Sequence, residues 1–276
     1  MKVNVGCNAL TMNELAGICG GMLCFAGGET NRNVPFRSVC TDSRETEKDS
    51  LFVALGGARV DGHDYIGAAL SLGSECVLCE RIPDTLNDRR YVALVVNDTL
   101  RAIGELAKAY DRRINHRKVA ITGSVGKTTT KELLREVLSV KYNVTATEGN
   151  LNNSIGVPLT LLKIDSMTQI AVVEMGASHP GDIQELVEIA EPDCGLITNV
   201  GKAHLQGFGS FEGVIRTKGE LYDFLRTRPD AFIFLHDDNP YLKDIAQGLK
   251  AIHYGSQADL FVSGKSTANS PFLAFE

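Results

Sequence analysis

The run Gly123-Ser124-Val125-Gly126-Lys127-Thr128-Thr129-Thr130 is the part of this 276-residue chain whose residue types answer most directly to a chemical task. It follows the apolar segment Val119-Ala120-Ile121-Thr122 and precedes a stretch in which Leu133, Leu134, Val137 and Leu138 share one helical face. A strand, a glycine turn and a helix in that order gather backbone N–H groups and the positive end of a helix at one point. Glycines let the backbone close around phosphate oxygens, Lys127 neutralises the outer phosphates, and the Thr128 hydroxyl can bind Mg2+. The spacing is shorter than G-x-x-x-x-G-K-[ST], because Ile121 stands where the first glycine of that pattern would fall. The context still predicts a nucleoside triphosphate held by Gly123, Ser124, Val125, Gly126, Lys127, Thr128 and Thr129.

A GTPase would add a D-x-x-G switch and an N-K-x-D base reader, and neither follows the loop. A small-molecule kinase would carry arginines in a lid, yet residues 151–200 contain none. Two further residues have chemistry of their own. Glu174 closes the apolar run Ile170-Ala171-Val172-Val173 and offers a hard oxygen for Mg2+ beside Thr128. Asn150, Asn152 and Asn153 suit a turn, and their amides equally suit sugar or phosphate oxygens.

These residues need a scaffold that brings strand ends together. From Lys118 onward short apolar runs alternate with amphipathic stretches, the rhythm of βαβ units and of a mainly parallel sheet covered by helices on both faces. In such sheets ligands collect at the carboxyl ends of the strands, where Gly123, Glu174 and the segment after Thr198 all fall. Residues 1–97 read as a separate, small mixed α/β domain, with a helix over Thr11 to Gly20, a strand over Ser50 to Leu55 and a helix from Tyr65. The second domain is expected over 98–276, opening with a helix from Thr99 to about Arg112 that Asn97 or Asp98 can cap.

Composition excludes several classes. With 28 Lys+Arg against 34 Asp+Glu, a formal charge of -6 lacks the basic excess that nucleic-acid binding needs. The N-terminus has no long apolar core and no run reaches a membrane span, so a soluble cytoplasmic protein is expected. Seven cysteines, an odd number among apolar neighbours, fit reduced thiols, and Cys76 and Cys79 read as strand residues rather than a metal or redox pair.

The chain resembles the Mur ligases. Thr122 to Lys131, Glu148 to Pro158, Glu174-Met175-Gly176-Ala177, Thr198 to Leu205 and Lys218-Gly219-Glu220 occur in that family's order and spacing. His179 to Ile183 and Gln206 to Ser210 point to the member that adds a dipeptide, and Thr41 to Arg44 with Gly62 to Asp64 resemble the segment that holds the uridine diphosphate. The resemblance implies an ATP-dependent amide ligase of cell-wall precursor synthesis. It would join D-Ala-D-Ala to a UDP-N-acetylmuramoyl tripeptide through an acyl phosphate, with ATP and Mg2+ as cofactors and a monomer as the expected state.

It also implies roles. Lys127, Lys218 and His204 become catalytic; Thr128, Glu174, His204 and Lys218 become metal-site residues, with Lys218 at the position of a carbamylated lysine; Ser43, Arg44, His63, Asn150 and Asn152 become substrate contacts. The family has a third domain and a later helix near the adenine, so the chain is expected to be a fragment. The competing readings are another Mur or folylpolyglutamate-type ligase, and a non-catalytic nucleotide-binding module.

Overall fold

The computed structural model describes the chain except for residues 7–8, 29, 58–59, 87–89, 202–204, 265, 268–273 and 276; at 85, 205–206, 266–267 and 274–275 it describes the backbone alone. The chain divides into two compact units, 1–115 with 158–167, and 116–157 with 168–276.

In the first unit a six-stranded mixed sheet is built from β1 (Lys2–Asn4), β3 (Met22–Ala26), β5 (Ser38–Cys40), β6 (Ser50–Val53), β7 (Cys76–Cys79) and β8 (Tyr91–Val95), in the order β1-β5-β6-β7-β8-β3. The four middle strands run parallel; β1 and β3 close the two edges antiparallel. A second small sheet pairs β2 (Leu10–Thr11) with β4 (Pro35–Phe36). Helix α1 (Met12–Cys19) starts at a capping box: the Thr11 hydroxyl accepts from the Glu14 amide, and Glu14 accepts from the Thr11 amide at 2.9 Å. Helix α2 (Ile66–Ser71) packs Ile66 and Ala69 on Phe52, Val77 and Ala93. Cys76 and Cys79, three apart on a strand, point to opposite faces and are both buried, as the strand reading required.

Helix α3 (Thr99–Asp111) begins as expected, with the Asp98 carboxylate accepting from the Arg101 amide. It belongs to the first unit, so the boundary lies near 115 rather than at 97. Residues 158–167 also join this unit: the Tyr110 hydroxyl donates to the Ile164 carbonyl at 2.7 Å, and the Gly6 amide to that of Leu162 at 3.0 Å. Such long-range pairings leave no trace in local periodicity. The strand Met22–Ala26 was likewise not read from the sequence; it is a half-buried edge strand without alternation.

The second unit is a parallel sheet of β9 (Arg117–Thr122), β10 (Val144–Ala146), β11 (Ile170–Glu174), β12 (Cys194–Ile197), β13 (Phe232–His236), β14 (Ala251–Gly255) and β15 (Val262–Ser263), in the order β10-β11-β9-β12-β13-β14-β15. Strand β9 is flanked by β11 and by β12, and the chain changes direction across it, so the crevice at its carboxyl end is the topological switch point of the sheet. Register brings Glu174 beside Ile121 and Ile197 beside Thr122. Helix α4 (Lys127–Ser139) covers one face with Leu134 and Leu138 over Ile121 and Val172.

Helix α8 (Phe211–Arg226) covers the other face, where Leu221 sits so close that a Cβ on Gly195 would lie 3.1 Å from its methyl group. Helices α6 (Asp182–Ala190) and α9 (Pro240–Ile245) pack with α8, and α7 (Leu205–Phe208) is a short connection; α5 (Gly156–Leu162) starts in this unit and continues into the 158–167 segment of the first. Asn239 caps α9 through the Tyr241 and Leu242 amides, the helix start that Asp237-Asp238-Asn239-Pro240 spells out. A last pair, β16 (Ser266–Thr267) with β17 (Ala274–Phe275), ends the described chain. Among the described residues no helix is long and apolar enough to cross a membrane.

Candidate active site in the second unit

The glycine turn leaves β9 in a conformation only glycine tolerates. Gly123 has φ +142°, and a Cβ there would lie 2.0 Å from the Thr198 hydroxyl oxygen. Gly126, at φ +86°, is the N-cap of α4 and has no side chain with which to bond the helix amides. The leading N–H groups of α4 therefore face the turn with the positive end of the helix dipole behind them. The turn is braced by the segment after β12. The Ser124 amide donates to the Asn199 carbonyl at 3.1 Å, the Val125 amide to Asn199 Oδ1 at 3.0 Å, and the Thr198 hydroxyl to the Val125 carbonyl at 2.6 Å. Ser124 Oγ also accepts from the Gly201 amide at 3.0 Å. The Ser124 side chain and the Val125 amide are thus engaged in holding the turn, a bracing that sequence motifs did not reveal.

Lys127 folds back over this turn and donates from Nζ to the Gly123 carbonyl at 2.8 Å. Its pKa is lowered by burial, an effect opposed by the Glu174 charge. Glu174, 1% exposed at the end of β11, is held from several sides. Its amide donates to the Thr147 hydroxyl at 3.0 Å, and its Oε1 accepts from Asn152 Nδ2 at 2.7 Å and from the Thr128 hydroxyl at 3.3 Å. Its Oε2 is fully buried and has no hydrogen-bond partner. A buried carboxylate oxygen without a partner is costly and calls for an explanation.

A hard cation supplies one. A carboxylate and a hydroxyl, with phosphate oxygens and waters completing the shell, is the donor set Mg2+ favours. No cluster of three or more His, Cys, Asp and Glu occurs among the described residues.

Around this centre is a cleft of about 340 Å3, lined by Gly123, Lys127, Asn152, Gly176, Asp182 and Lys218 among others. Lys218, on α8, is 3% exposed, and its Nζ lies 5.5 Å from the centre of the Phe208 ring. Burial first, and the neighbouring Lys127 charge second, push its pKa from 10.5 down to about 8. The far wall is fixed through α6. Asp182 Oδ2 accepts from the Ser178 and His179 amides at 2.7 and 2.8 Å, and Glu220 accepts from the Gly181 and Gln184 amides at 2.8 and 2.9 Å. Within Lys218-Gly219-Glu220, Lys218 therefore faces the cleft while Glu220 anchors α6.

The structure brings together Gly123, Lys127, Thr128, Glu174, Asn152 and Lys218. Asn152 bonds Glu174, and a Cβ on Gly176 would meet Asn152 Oδ1 at 2.8 Å, so that glycine makes room for the amide. Asn153 caps α5, its Oδ1 accepting from the Gly156 amide at 2.9 Å, while Asn150 and Thr129 are exposed and do not line the cleft. His204 lies outside the described residues.

Ser43, Arg44 and His63 belong to the first unit. Ser43 is buried in a one-turn helix capped by Asp42, and Arg44 is engaged by the same Asp42 carboxylate at 2.9 and 2.6 Å. His63 is 1% exposed with both ring nitrogens occupied. Nε2 accepts from the Glu80 amide at 2.9 Å, so Nδ1 carries the hydrogen and donates to Asp61 at 2.6 Å. Asp61 is in turn paired with Arg81, and those contacts hold its carboxyl well below the usual range.

A parallel sheet with a Gly-Lys-Thr turn at its switch point, a buried acid beside it and a second cation across the cleft defines a P-loop nucleotide-binding protein. Comparison with known proteins narrows this class. The sequence pattern of the Mur ligase middle domain matches residues 121–270, and that of the Mur ligase family catalytic domain matches residues 35–118. The chain belongs to the Mur ligase family.

The UDP-N-acetylmuramoyl-tripeptide--D-alanyl-D-alanine ligase of Bacillus subtilis is 41% identical over 207 residues, covering 75% of this chain and 44% of that protein. The protein of the same name from Haemophilus influenzae is 41% identical over 264 residues, covering 88% and 57%. Among solved structures, MurF from Acinetobacter baumannii superposes with a TM-score of 0.81 at 31% identity, covering 96% of this chain and 56% of that one. MurF from Thermotoga maritima in complex with ADP gives 0.72 at 35% identity, covering 79% and 50%. The chain spans about half the length of these relatives.

Proposed function

We propose that the chain is the part of an ATP-dependent amide ligase that binds the uridine nucleotide and ATP. The reaction is the joining of D-Ala-D-Ala to a UDP-N-acetylmuramoyl tripeptide. The observation that carries this is the buried Glu174 carboxylate, whose Oε1 accepts from Thr128 and whose Oε2 has no partner, behind a cleft lined by Lys127, Asn152 and Lys218. The relatives' names supply the substrates, and the ADP-bound neighbour supports the nucleotide.

On this reading the α4 amides and Lys127 hold the triphosphate and draw charge from the phosphate that is transferred. Thr128 and Glu174 are the protein ligands for Mg2+, which would neutralise phosphate charge when bound. Asn152 fixes the rotamer of Glu174. The substrate carboxylate attacks the γ-phosphorus of ATP and ADP leaves, giving an acyl phosphate. An incoming amine then adds to its carbonyl carbon and expels phosphate, giving up a proton as the amide forms, so the protein's task is alignment rather than nucleophilic attack. Lys218, with its pKa near 8, presents a neutral amine often enough to react with carbon dioxide. The carbamate so formed would replace a cation with oxygen ligands, the role its position in the family implies. His204 completes this metal site in our reading, and the first unit, with Ser43, Arg44 and His63, receives the uridine nucleotide.

Thermal unfolding of the chain with ATP·Mg2+, UDP-N-acetylmuramoyl tripeptide or folate tests the proposal, because only ligands of the folded state raise the melting point. The first two should raise it and folate should not. A rise with folate, or none with the nucleotides, would overturn the reading.

A further inference from the structure

Lys131 is one helical turn beyond Lys127 on α4 and is 0% exposed, yet it faces no part of the cleft. Its Nζ donates to the Thr147 carbonyl at 2.6 Å and reaches Glu132 Oε1 at 2.9 Å. Enclosing an ammonium completely is unfavourable, and an apolar side chain of similar length would fill the same space at less cost. Packing alone does not account for the charge. Its neighbour does.

Thr147 follows β10 at the point where the ladder between β10 and β11 runs out, after the pair Ala146 and Val172. Its own amide donates to the Val172 carbonyl at 3.0 Å, its carbonyl takes the Lys131 ammonium, and its hydroxyl accepts the Glu174 amide at 3.0 Å. The hydroxyl thus does for Glu174 what a further ladder bond would otherwise do.

We propose that Lys131 and Thr147 form a buried relay that positions Glu174, fixing its carboxylate at metal-binding distance from Thr128. The same helix carries Thr128 at its start and Lys131 one turn later. Anchoring Lys131 to the strand end therefore sets the spacing between the hydroxyl and the acid. Lys131 is a positioning residue here: it touches neither nucleotide nor metal. The proposal rests on the reading of Glu174 as the Mg2+ ligand.

Calorimetric titration of the chain with ADP, with and without Mg2+, tests it. Unmodified chain should bind ADP more tightly when Mg2+ is present. In Lys131→Met and in Thr147→Val, Mg2+-free binding, held by the α4 amides and Lys127, should stay as it was. The tightening due to Mg2+ should fall by roughly ten- to a hundredfold, the usual effect of removing an outer partner of a metal ligand. Thr147→Ser, which keeps the hydroxyl, should restore it, and the double variant should be no worse than the worse single one.

If both variants keep the Mg2+ effect, or lose Mg2+-free binding to the same degree, the relay is refuted and the two residues are merely structural. Should Lys131→Met fail to fold, Thr147→Val decides alone, since it leaves the Lys131 contact in place. Absence of any Mg2+ effect in the unmodified chain would overturn the metal reading of Glu174 and the relay together, an outcome distinct from loss in the variants only.

Discussion

Replacing Lys218 with methionine should make the chain more stable at neutral pH while destroying the site. The side chain is 3% exposed, and burial first, then the Lys127 charge, lowers its pKa from 10.5 to about 8 against the smaller pull of Asp182 and Glu220. At about 1.4 kcal/mol per pKa unit, that drop corresponds to a penalty of about 3 kcal/mol for carrying the proton in the folded state. In the unfolded chain Lys218 keeps its proton up to 10.5, whereas in the folded chain it gives it up near 8. Between those values the unfolded state binds more protons, so stability rises with pH across that window, and the full penalty applies below it.

Methionine has nearly the same length, no charge to desolvate, and a sulfur that packs well beside the Phe208 ring. Urea unfolding in buffer purged of carbon dioxide, so that the amine stays unmodified, measures the difference. The variant should exceed the parent by about 2–3 kcal/mol at pH 7, and the gap should close as pH rises toward 10.5. Equal or lower stability of Lys218→Met at pH 7, with parallel pH profiles, would refute the burial account.

Three further outcomes follow from the same geometry. Gly123→Ala combines a disfavoured φ with a Cβ 2.0 Å from the Thr198 hydroxyl, whereas Gly126→Ala meets nothing closer than 4.0 Å. Urea midpoints should show a loss above about 2 kcal/mol for the first and about 1–2 kcal/mol for the second. His63→Ala leaves the Glu80 amide without its acceptor, which should lower the stability of the first unit by about 1–3 kcal/mol and render that amide faster in hydrogen exchange. Binding of ADP places negative charge between Lys127 and Lys218, removing the repulsion that helps lower Lys218, so protons should be taken up on binding at pH 8 to 9. Calorimetry in buffers of different ionisation enthalpy reads that uptake directly, and a buffer-independent heat would contradict it.

What the sequence disclosed, and what it hid, follows from the range of each interaction. Gly123 to Thr128 was readable because a strand, a turn and a helix adjacent in the chain make the whole cradle. The place of Glu174 at a strand end was readable because it closes an apolar run. By residue type the Asn152 amide suits a substrate contact, yet in the fold it donates to Glu174. Its partner lies across a strand pairing that no local pattern encodes. Lys131 was read only as part of a motif, since a lysine in an amphipathic helix ordinarily faces water. The placement of α3 with the first unit depends on contacts such as Tyr110 to Ile164, 54 residues apart. The brace from Thr198, Asn199 and Gly201 lay inside a segment valued for His204, and its value to the turn appears only once β12 is placed beside β9.

On the proposed reading, the arrangement of charge also distinguishes a site for phosphoryl transfer from one that merely holds a nucleotide. A holding site needs the glycine turn, the α4 amides and Lys127. It has no need of Lys218, whose buried ammonium repels Lys127, or of a Glu174 oxygen withdrawn from every donor. Both features weaken the fold; the Lys218 charge would be offset by phosphate oxygens, and the Glu174 oxygen by a bound cation. Asn152, Thr147 and Thr128 hold the remaining polar atoms of Glu174, so its one unpaired oxygen is fixed in direction before any ligand arrives. Electrostatic preorganisation of that kind lowers the barrier to charge transfer because little has to reorient as the charge moves. The physical cost built into the cleft is thus a reason to read it as catalytic, independent of the names its relatives carry.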